Sequence, residues 1–152
     1  MMTSQLIENH RDAAEIYHGE ALCKQKICEL LEELCLPKGL FPTEIVEFGC
    51  NRSSGFAWAK HKKQVQHKFK SINKNVSYDI EVAAYFEKRR LRNVTGVKSK
   101  ELLLWPWITI SSIFIEDPSS GKITFQVSNG MSRMLPTSAF ELEENKVLGQ
   151  EN

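Results

Sequence analysis

Residues 75–86 constrain this chain more than any other segment. Val76, Tyr78, Ile80, Val82, Ala84 and Phe86 fall on one parity, and Asn75, Ser77, Asp79 and Glu81 fall on the other. Successive side chains of a strand point to opposite faces, so the segment predicts one oily face and one wet face. A chain written this way builds a sheet over a core, and Ile80 is expected among the residues that face inward. Each fully buried Val, Ile, Tyr or Phe on such a face contributes roughly 1.5–3 kcal/mol.

The same two-residue period recurs on both sides. Phe56 and Trp58 share a face within 56–61. Val65, His67 and Phe69 alternate with Gln64, Gln66, Lys68 and Lys70, and Ile123, Phe125 and Val127 alternate with Thr124 and Gln126. Further strands are expected over 44–51, over 91–97 with Gly96 at a bulge, over 102–116 with Pro106 at an edge or bulge, and over 131–135. Lys62-Lys63 reads as a hairpin tip and 117–121 as a turn. Asn129-Gly130 reads as a two-residue hairpin with positive φ at both positions. Upstream, Cys23, Ile27, Leu30, Leu31 and Leu34 make a helical stripe opposite Glu29, Glu32 and Glu33; Gly19 weakens its first half, and Pro37 and Gly39 stop it.

The fold class that follows is mainly β: an antiparallel β-barrel or sandwich-like domain of seven to nine strands, preceded by one N-terminal amphipathic α-helix. Its parts are a flexible N-terminus over 1–12, the helix over 13–35, the β domain over 36–141 and a disordered acidic tail over 142–152. A chain of 152 residues is enough for one domain. At that length about 68–70% of the unfolded surface is buried without help from disulfides or metal. The four cysteines include no C-x-x-C pair and read as free thiols in a reducing compartment. The first residues show no secretory signal. The oiliest run, 102–110, contains Pro106 and is too short to cross a bilayer, so no transmembrane segment and a cytoplasmic location are expected.

Chemistry is harder to find. Gly130-Met131-Ser132-Arg133-Met134 lacks the second glycine of a nucleophile elbow. Nothing in the spacing requires His61 or His67 to meet Cys50, and both histidines read as ordinary sheet residues. A zinc site built on Cys50, His61 and His67 would need a fourth ligand. Neither a calcium loop nor a glycine-rich phosphate loop is present. The expectation is therefore no catalytic residue, no metal and no cofactor.

Two features remain. Charge is segregated: residues 1–47 hold four basic and nine acidic side chains, residues 48–100 thirteen and three, residues 101–152 three and seven. Lys60, Lys62, Lys63, Lys68, Lys70, Arg89, Arg90 and Arg92 are the candidates for holding an anionic group, against the plainer reading of a solvated face that balances acidic ends. Trp105 and Trp107 are the candidates for an apolar contact, against ordinary core. An anionic lipid, an amphipathic small molecule or a protein partner fits these residues; nucleic acid is not expected.

Leu36-Pro37-Lys38-Gly39-Leu40-Phe41-Pro42 follows the helix, Gly96-Val97-Lys98 precedes Trp105, and Pro136 precedes Phe140. Together these resemble the plant family called domain of unknown function 538, over roughly Leu36 to Glu141. The resemblance implies a plant protein with a small barrel-like antiparallel β domain. For relatives it implies lipid binding of the bactericidal permeability-increasing type or ester hydrolysis of chlorophyll, and links to stress responses and development. It carries over no catalytic residue. The expected function is a non-enzymatic binding module for an amphipathic or anionic lipid-like ligand. The alternatives are a weak hydrolase of hydrophobic esters and a protein-interaction adaptor.

Overall fold

The segment with the clearest alternation is the centre of the sheet. The computed structural model describes residues 2–100 and 106–142. They form α1 (Thr3–His10), β1 (Glu15–His18), α2 (Glu20–Glu33), β2 (Glu47–Asn51), β3 (Phe56–Lys60), β4 (Val65–Phe69) and β5 (Lys74–Glu87). Then follow β6 (Arg90–Lys100), β7 (Ile108–Phe114), β8 (Lys122–Val127) and β9 (Ser132–Pro136). All nine strands belong to one antiparallel sheet in the order β1-β2-β3-β5-β6-β7-β8-β9, with β4 also paired to β5; the sheet does not close on itself. The mainly β domain of seven to nine strands is thus an open, sandwich-like sheet.

β5 serves two neighbours on one edge. Its first half pairs with β4, Tyr78 opposite Val65, and its second half pairs with β3, Glu81 opposite Lys60. β3 and β4 therefore lie end to end, and Lys62-Lys63 spans the step between them rather than tipping a hairpin. On the other edge the register passes from Tyr78–Val97 to Ala83–Thr95, so β5 covers five positions while β6 covers two. Gly96 sits at this bulge with φ 85°, and a Cβ there would lie 2.4 Å from the Glu81 carbonyl oxygen. The bulge corrects one expectation. Tyr78 and Val82 are buried at 1% and 4% exposure, but Ile80 between them is 52% exposed. Unpaired residues turn the strand at a bulge, so simple parity does not carry across it.

The N-terminal region also differs from expectation. Residues 3–10, expected to be loose, form α1, and its Ile7 is fully buried. The helix expected over 13–35 is replaced by β1, Gly19 at φ 94°, and then α2. The reason lies in β3. Ala57 and Ala59 face the main core, whereas Phe56 and Trp58 face the other way and need cover of their own. Ile7 of α1 packs there with Phe56, Trp58 and Ala83 as a second cluster, and His10 stacks on Phe56 at 4.2 Å. Burying both faces of β3 takes two elements, α2 and α1, where one amphipathic helix covers one face.

The main core lies under α2 and along the inner face of β5 to β8. A short 3-10 turn, Thr137–Phe140, places Phe140 against Phe69 at 4.8 Å and Phe125 at 5.0 Å. It thereby fills the gap between β4 and β8, which share no ladder. Gly39 donates its amide to the Phe140 carbonyl at 2.7 Å. The β8–β9 connection holds four residues, 128–131, not two: Val127 donates to the Met131 carbonyl, and of these four only Gly130 takes positive φ, at 91°, while Asn129 Oδ1 accepts from the Met131 amide. Of the strand expected over 102–116, β7 occupies the later half, and Pro106 lies exposed just before it. Trp105 and the tail beyond 142 lie outside the described residues. The four cysteines are free thiols.

Candidate functional site

The interior offers little room. A cavity of about 60 Å³ lies between α2 and the sheet, lined by Leu30, Leu34, Phe48, Val82, Leu91 and Val94 among others, and one of about 10 Å³ lies near Tyr78, Ile110 and Phe125. Pockets that hold small ligands run to roughly 300–1,000 Å³. Alternating side chains have filled the space they enclose.

A larger space lies outside the strands. A groove of about 660 Å³ runs between α2, the segment 38–45 and β4, with Glu141 and Leu142 closing one end. Its origin is local. β4 pairs only with β5, so its other edge has no ladder. The facing segment starts in Pro37, Gly39 and Pro42, and Pro42 has no amide to donate, so no strand forms opposite β4. Ile27, Phe41, Ile45 and Phe69 make an apolar floor. Lys24 and Lys38 stand with Glu20, Glu44 and Glu141 on the rim. Lys38 pairs with Glu32 at 3.2 Å, and Lys24 is in no ion pair with a described residue.

Thr43 and His61 meet at the wall of this groove. His61 follows β3 and is 4% exposed. Its Nδ1 lies 2.9 Å from the Asp79 carbonyl oxygen, which can only accept, so Nδ1 carries the proton. Nε2 is then the acceptor, and the Thr43 hydroxyl donates to it at 2.7 Å. Burial pushes the imidazole below its ordinary pKa, opposed by the bond to Asp79. The ring is therefore neutral at neutral pH. Thr43 itself lines the groove.

A second polar cluster lies on the opposite face of β3. Trp58 Nε1 and His18 Nε2 reach the Glu47 carboxylate at 2.9 Å each, Arg11 Nη2 at 3.2 Å and Lys60 Nζ at 3.8 Å. Burial pushes this carboxyl up, but the bonds from Trp58, His18 and Arg11 outweigh it and hold its pKa at about 2. This cluster ties the loop after α1, the end of β1, and strands β2 and β3 together.

Of the ten residues expected as a site, the nine that lie among the described residues do not gather. Lys60 is held between Glu47 and, at 3.6 Å, Glu81. Arg89, Arg90 and Arg92 lie at the β5–β6 turn, the far end of β5 from Lys68 and Lys70. There Arg89 donates to the Glu116 carbonyl, Arg90 covers the Phe114 ring, and Arg92 lies over Tyr85 and 3.7 Å from Glu87. Lys62 and Lys63 are exposed at the β3–β4 step. Lys68 opposes Asn75, which opposes Lys100, and Gln66 opposes Ser77, which opposes Lys98. Directly opposed residues share a face, so Lys68, Lys98 and Lys100 form one outer row. Lys100 reaches over Trp107 at 5.7 Å. Trp105 lies outside the described residues. Cys50 is buried, and burial pushes its thiol up to about 11 against the pull of Arg52, which makes it a poor nucleophile. Among the described residues no group of three His, Cys, Asp or Glu could hold a metal, and no helix is long and apolar enough to cross a membrane.

Sequence reading passed over Lys24, Thr43 and Ile45. The available signal was Phe41 and Ile45 flanking a threonine just after two prolines, a segment read as a boundary between helix and strands. Residues 27–141 match the model of the family described as "Protein of unknown function, DUF538". The match begins inside α2, so α1 and β1 precede it. No curated protein and no solved structure matches.

Proposed function

The chain belongs to the DUF538 family, and we propose that its β domain is a binding module for an amphipathic small molecule held in the groove between α2 and β4. The observation that carries this reading is a groove of about 660 Å³ with an apolar floor and a charged rim, set beside an interior too full to take a ligand. Ile27, Phe41, Ile45 and Phe69 suit a hydrocarbon portion. Lys24 suits a single carboxylate or phosphate, because its ammonium has no ion-pair partner among the described residues. Lys68 lies on the outer face of the strand that walls the groove. With Lys98 and Lys100 it adds a positive field that raises the local concentration of an anionic ligand.

The anionic dye 1-anilinonaphthalene-8-sulfonate tests this, with dodecanoate as competitor. Saturable one-to-one dye binding, displaced by dodecanoate, supports the groove as the site. Ala21 lies on the wall at an exposed helical position, so Ala21→Trp should fill the groove, leave the melting temperature in place and weaken the dye at least about tenfold, or ~1.4 kcal/mol. No saturable binding, or equal affinity in Ala21→Trp, rejects the reading.

A further inference from the structure

We propose that the outer face of β4, β5 and β6 docks an acidic segment of a partner protein, held extended along β6 with its carboxylates on Lys98, Lys100 and Lys68. The site is separate from the groove. The ladder registers bring these cations together. Lys68 on β4 stands across Asn75 from Lys100, and Lys98 stands across Ser77 from Gln66. Residues two apart on one strand lie about 6.6 Å apart, and strands separated by one intervening strand lie roughly 9.5 Å apart. Three ammonium groups thus share one small area. α1 covers the outer face at Ala83, in the other half of β5, and Lys68 is exposed.

The charge there is uncompensated. Arg11, Lys38, Lys60, Arg52 and Arg92 each form an ion pair with a carboxylate, whereas Lys68, Lys98 and Lys100 form none with a described residue. Asp79, the first carboxylate along β5 beyond this area, accepts from Gln64 Nε2 at 3.0 Å. The charge is also held in place. Ser77 lies on the outer face between Gln66 and Lys98, yet it is 3% exposed. Long stems laid along a sheet cover what lies beneath them and keep their charged ends in water. Lys100 is steadied from the other side, its Nζ 5.7 Å from the centre of the Trp107 ring. Like charges fixed close together repel, and a carboxylate partner relieves that repulsion. Side chains already in place also lose less rotamer freedom on binding. A face that only kept the protein soluble would be served equally by lysines free to spread apart.

The spacing selects the partner. Alternate side chains of an extended peptide fall on one face at the same period of about 6.6 Å. Asp or Glu at alternate positions therefore meets Lys98 and Lys100 together, with Lys68 on one flank and Trp107 on the other. Single-stranded nucleic acid fits less well. It binds through open aromatic rings as well as cations, and Trp107, the ring beside these lysines, already carries Lys100.

The experiment measures fluorescence anisotropy of labelled peptides against the full chain at low salt. One peptide alternates Glu with Thr. A second, of the same composition, repeats Glu-Glu-Thr-Thr, which places no two Glu residues two apart; a third replaces every Glu of the first with Gln. Expected are saturable binding of the alternating peptide, at least about threefold weaker binding of the second, none of the third, and affinity that falls as salt rises. Lys98→Gln with Lys100→Gln keeps much of both stems and removes both charges. It should leave the melting temperature in place and weaken the alternating peptide at least about tenfold. Lys62→Gln with Lys63→Gln removes the same charge from exposed positions at the β3–β4 step and should change affinity less than about twofold. No binding, equal affinity for the first two peptides, or equal losses in the two double variants overturns the proposal. An oligothymidylate that binds tighter than the alternating peptide also overturns it and assigns the face to nucleic acid. Ala21→Trp, which fills the groove, should leave peptide binding unchanged, so this proposal and the groove reading can fail separately.

Discussion

Phe69 lines both the filled interior and the open groove, and the two regions differ in how the backbone around them is paired. On the inner side Tyr78, Ile110, Phe125 and Phe140 close around it and leave about 10 Å³. On the outer side about 660 Å³ stays open. The other strands that line this interior, β5 to β8, have partners along both edges, so their inward side chains arrive in register and interdigitate. β4 has a partner on one edge only, and the segment facing it carries two prolines within residues 37–42. Where no ladder forms, side chains are not brought into register and space remains. Two substitutions on the same parity of β5 test this contrast at its strongest. Val82→Asp places an unpaired charge in the core and should cost at least about 4 kcal/mol, enough to unfold the domain. Ile80→Asp, two residues away and turned out by the bulge, should stay within about 0.5 kcal/mol of the parent. Chemical denaturation of both variants decides; equal losses would mean that the bulge does not separate their environments.

A third region, the outer face of β3 under α1, offers a control that touches neither side of Phe69. Glu47 holds that face together, and its pKa stands at about 2 in the folded protein against an ordinary 4.5. The unfolded chain therefore binds the proton more readily. The stability this confers is fully present above about pH 5 and is lost as pH falls from 4.5 towards 2, amounting to roughly 2–3 kcal/mol. Urea titrations at pH 6 and pH 3 should show that loss in the parent and a flatter dependence in Glu47→Gln, which is already weaker at pH 6. An acid dependence unchanged in Glu47→Gln would assign the effect to other carboxylates.

Gly39 joins the two compared regions. It lines the groove, and a Cβ on it would lie 2.5 Å from the Phe140 carbonyl oxygen and 2.6 Å from that of Glu141. Those are backbone atoms that cannot swing aside. Gly39→Ala should cost about 1–3 kcal/mol by forcing segment 36–42 away from the Phe140 turn. Because the same shift widens the groove, dye affinity should change with it. A melting temperature equal to the parent's would show that the two regions are not joined there.

Much of this fold was legible in the sequence, and the failures have a common cause. The alternation in β3, β4, β5 and β8, the stripe of α2, the break at Gly19 and the bulge at Gly96 are local patterns read over a few residues. Ile80 was misplaced because its orientation depends on how β6 pairs across the bulge. α1 was missed because its partners, Phe56 and Trp58, lie some fifty residues downstream. Lys62-Lys63 was misread because β3 and β4 both pair with β5 rather than with each other. The basic residues were easy to count but not to place, since the two ends of β5 separate Lys68 from Arg90. The groove exists because β4 lacks a neighbour, and no local pattern encodes a missing neighbour. Thr43 and His61 are eighteen positions apart, and the His61 ring that joins them is oriented by a carbonyl of β5.

The smallest expected effect on stability is the most informative about the groove itself. Lys24 is an exposed helical residue on the rim, in no ion pair with a described residue. Lys24→Ala removes no buried contact, and alanine is the better helix former, so stability should stay within about 0.5 kcal/mol of the parent. A core position changed to alanine shows the reverse, with a large loss of stability and no ligand contact. If Lys24 meets the anionic end of a bound molecule, the same substitution should weaken dodecanoate by about 5- to 30-fold, about 1–2 kcal/mol for one charge-assisted contact. A neutral analogue such as dodecanol should be unaffected. Raising salt should close the gap between parent and variant for dodecanoate, because a rim charge is screened over about 8–10 Å at moderate ionic strength. Equal affinities for dodecanoate at low salt would leave the groove an apolar slot with no preference for charge. The outer row of Lys68, Lys98 and Lys100 would then be the next place to seek the anionic contact.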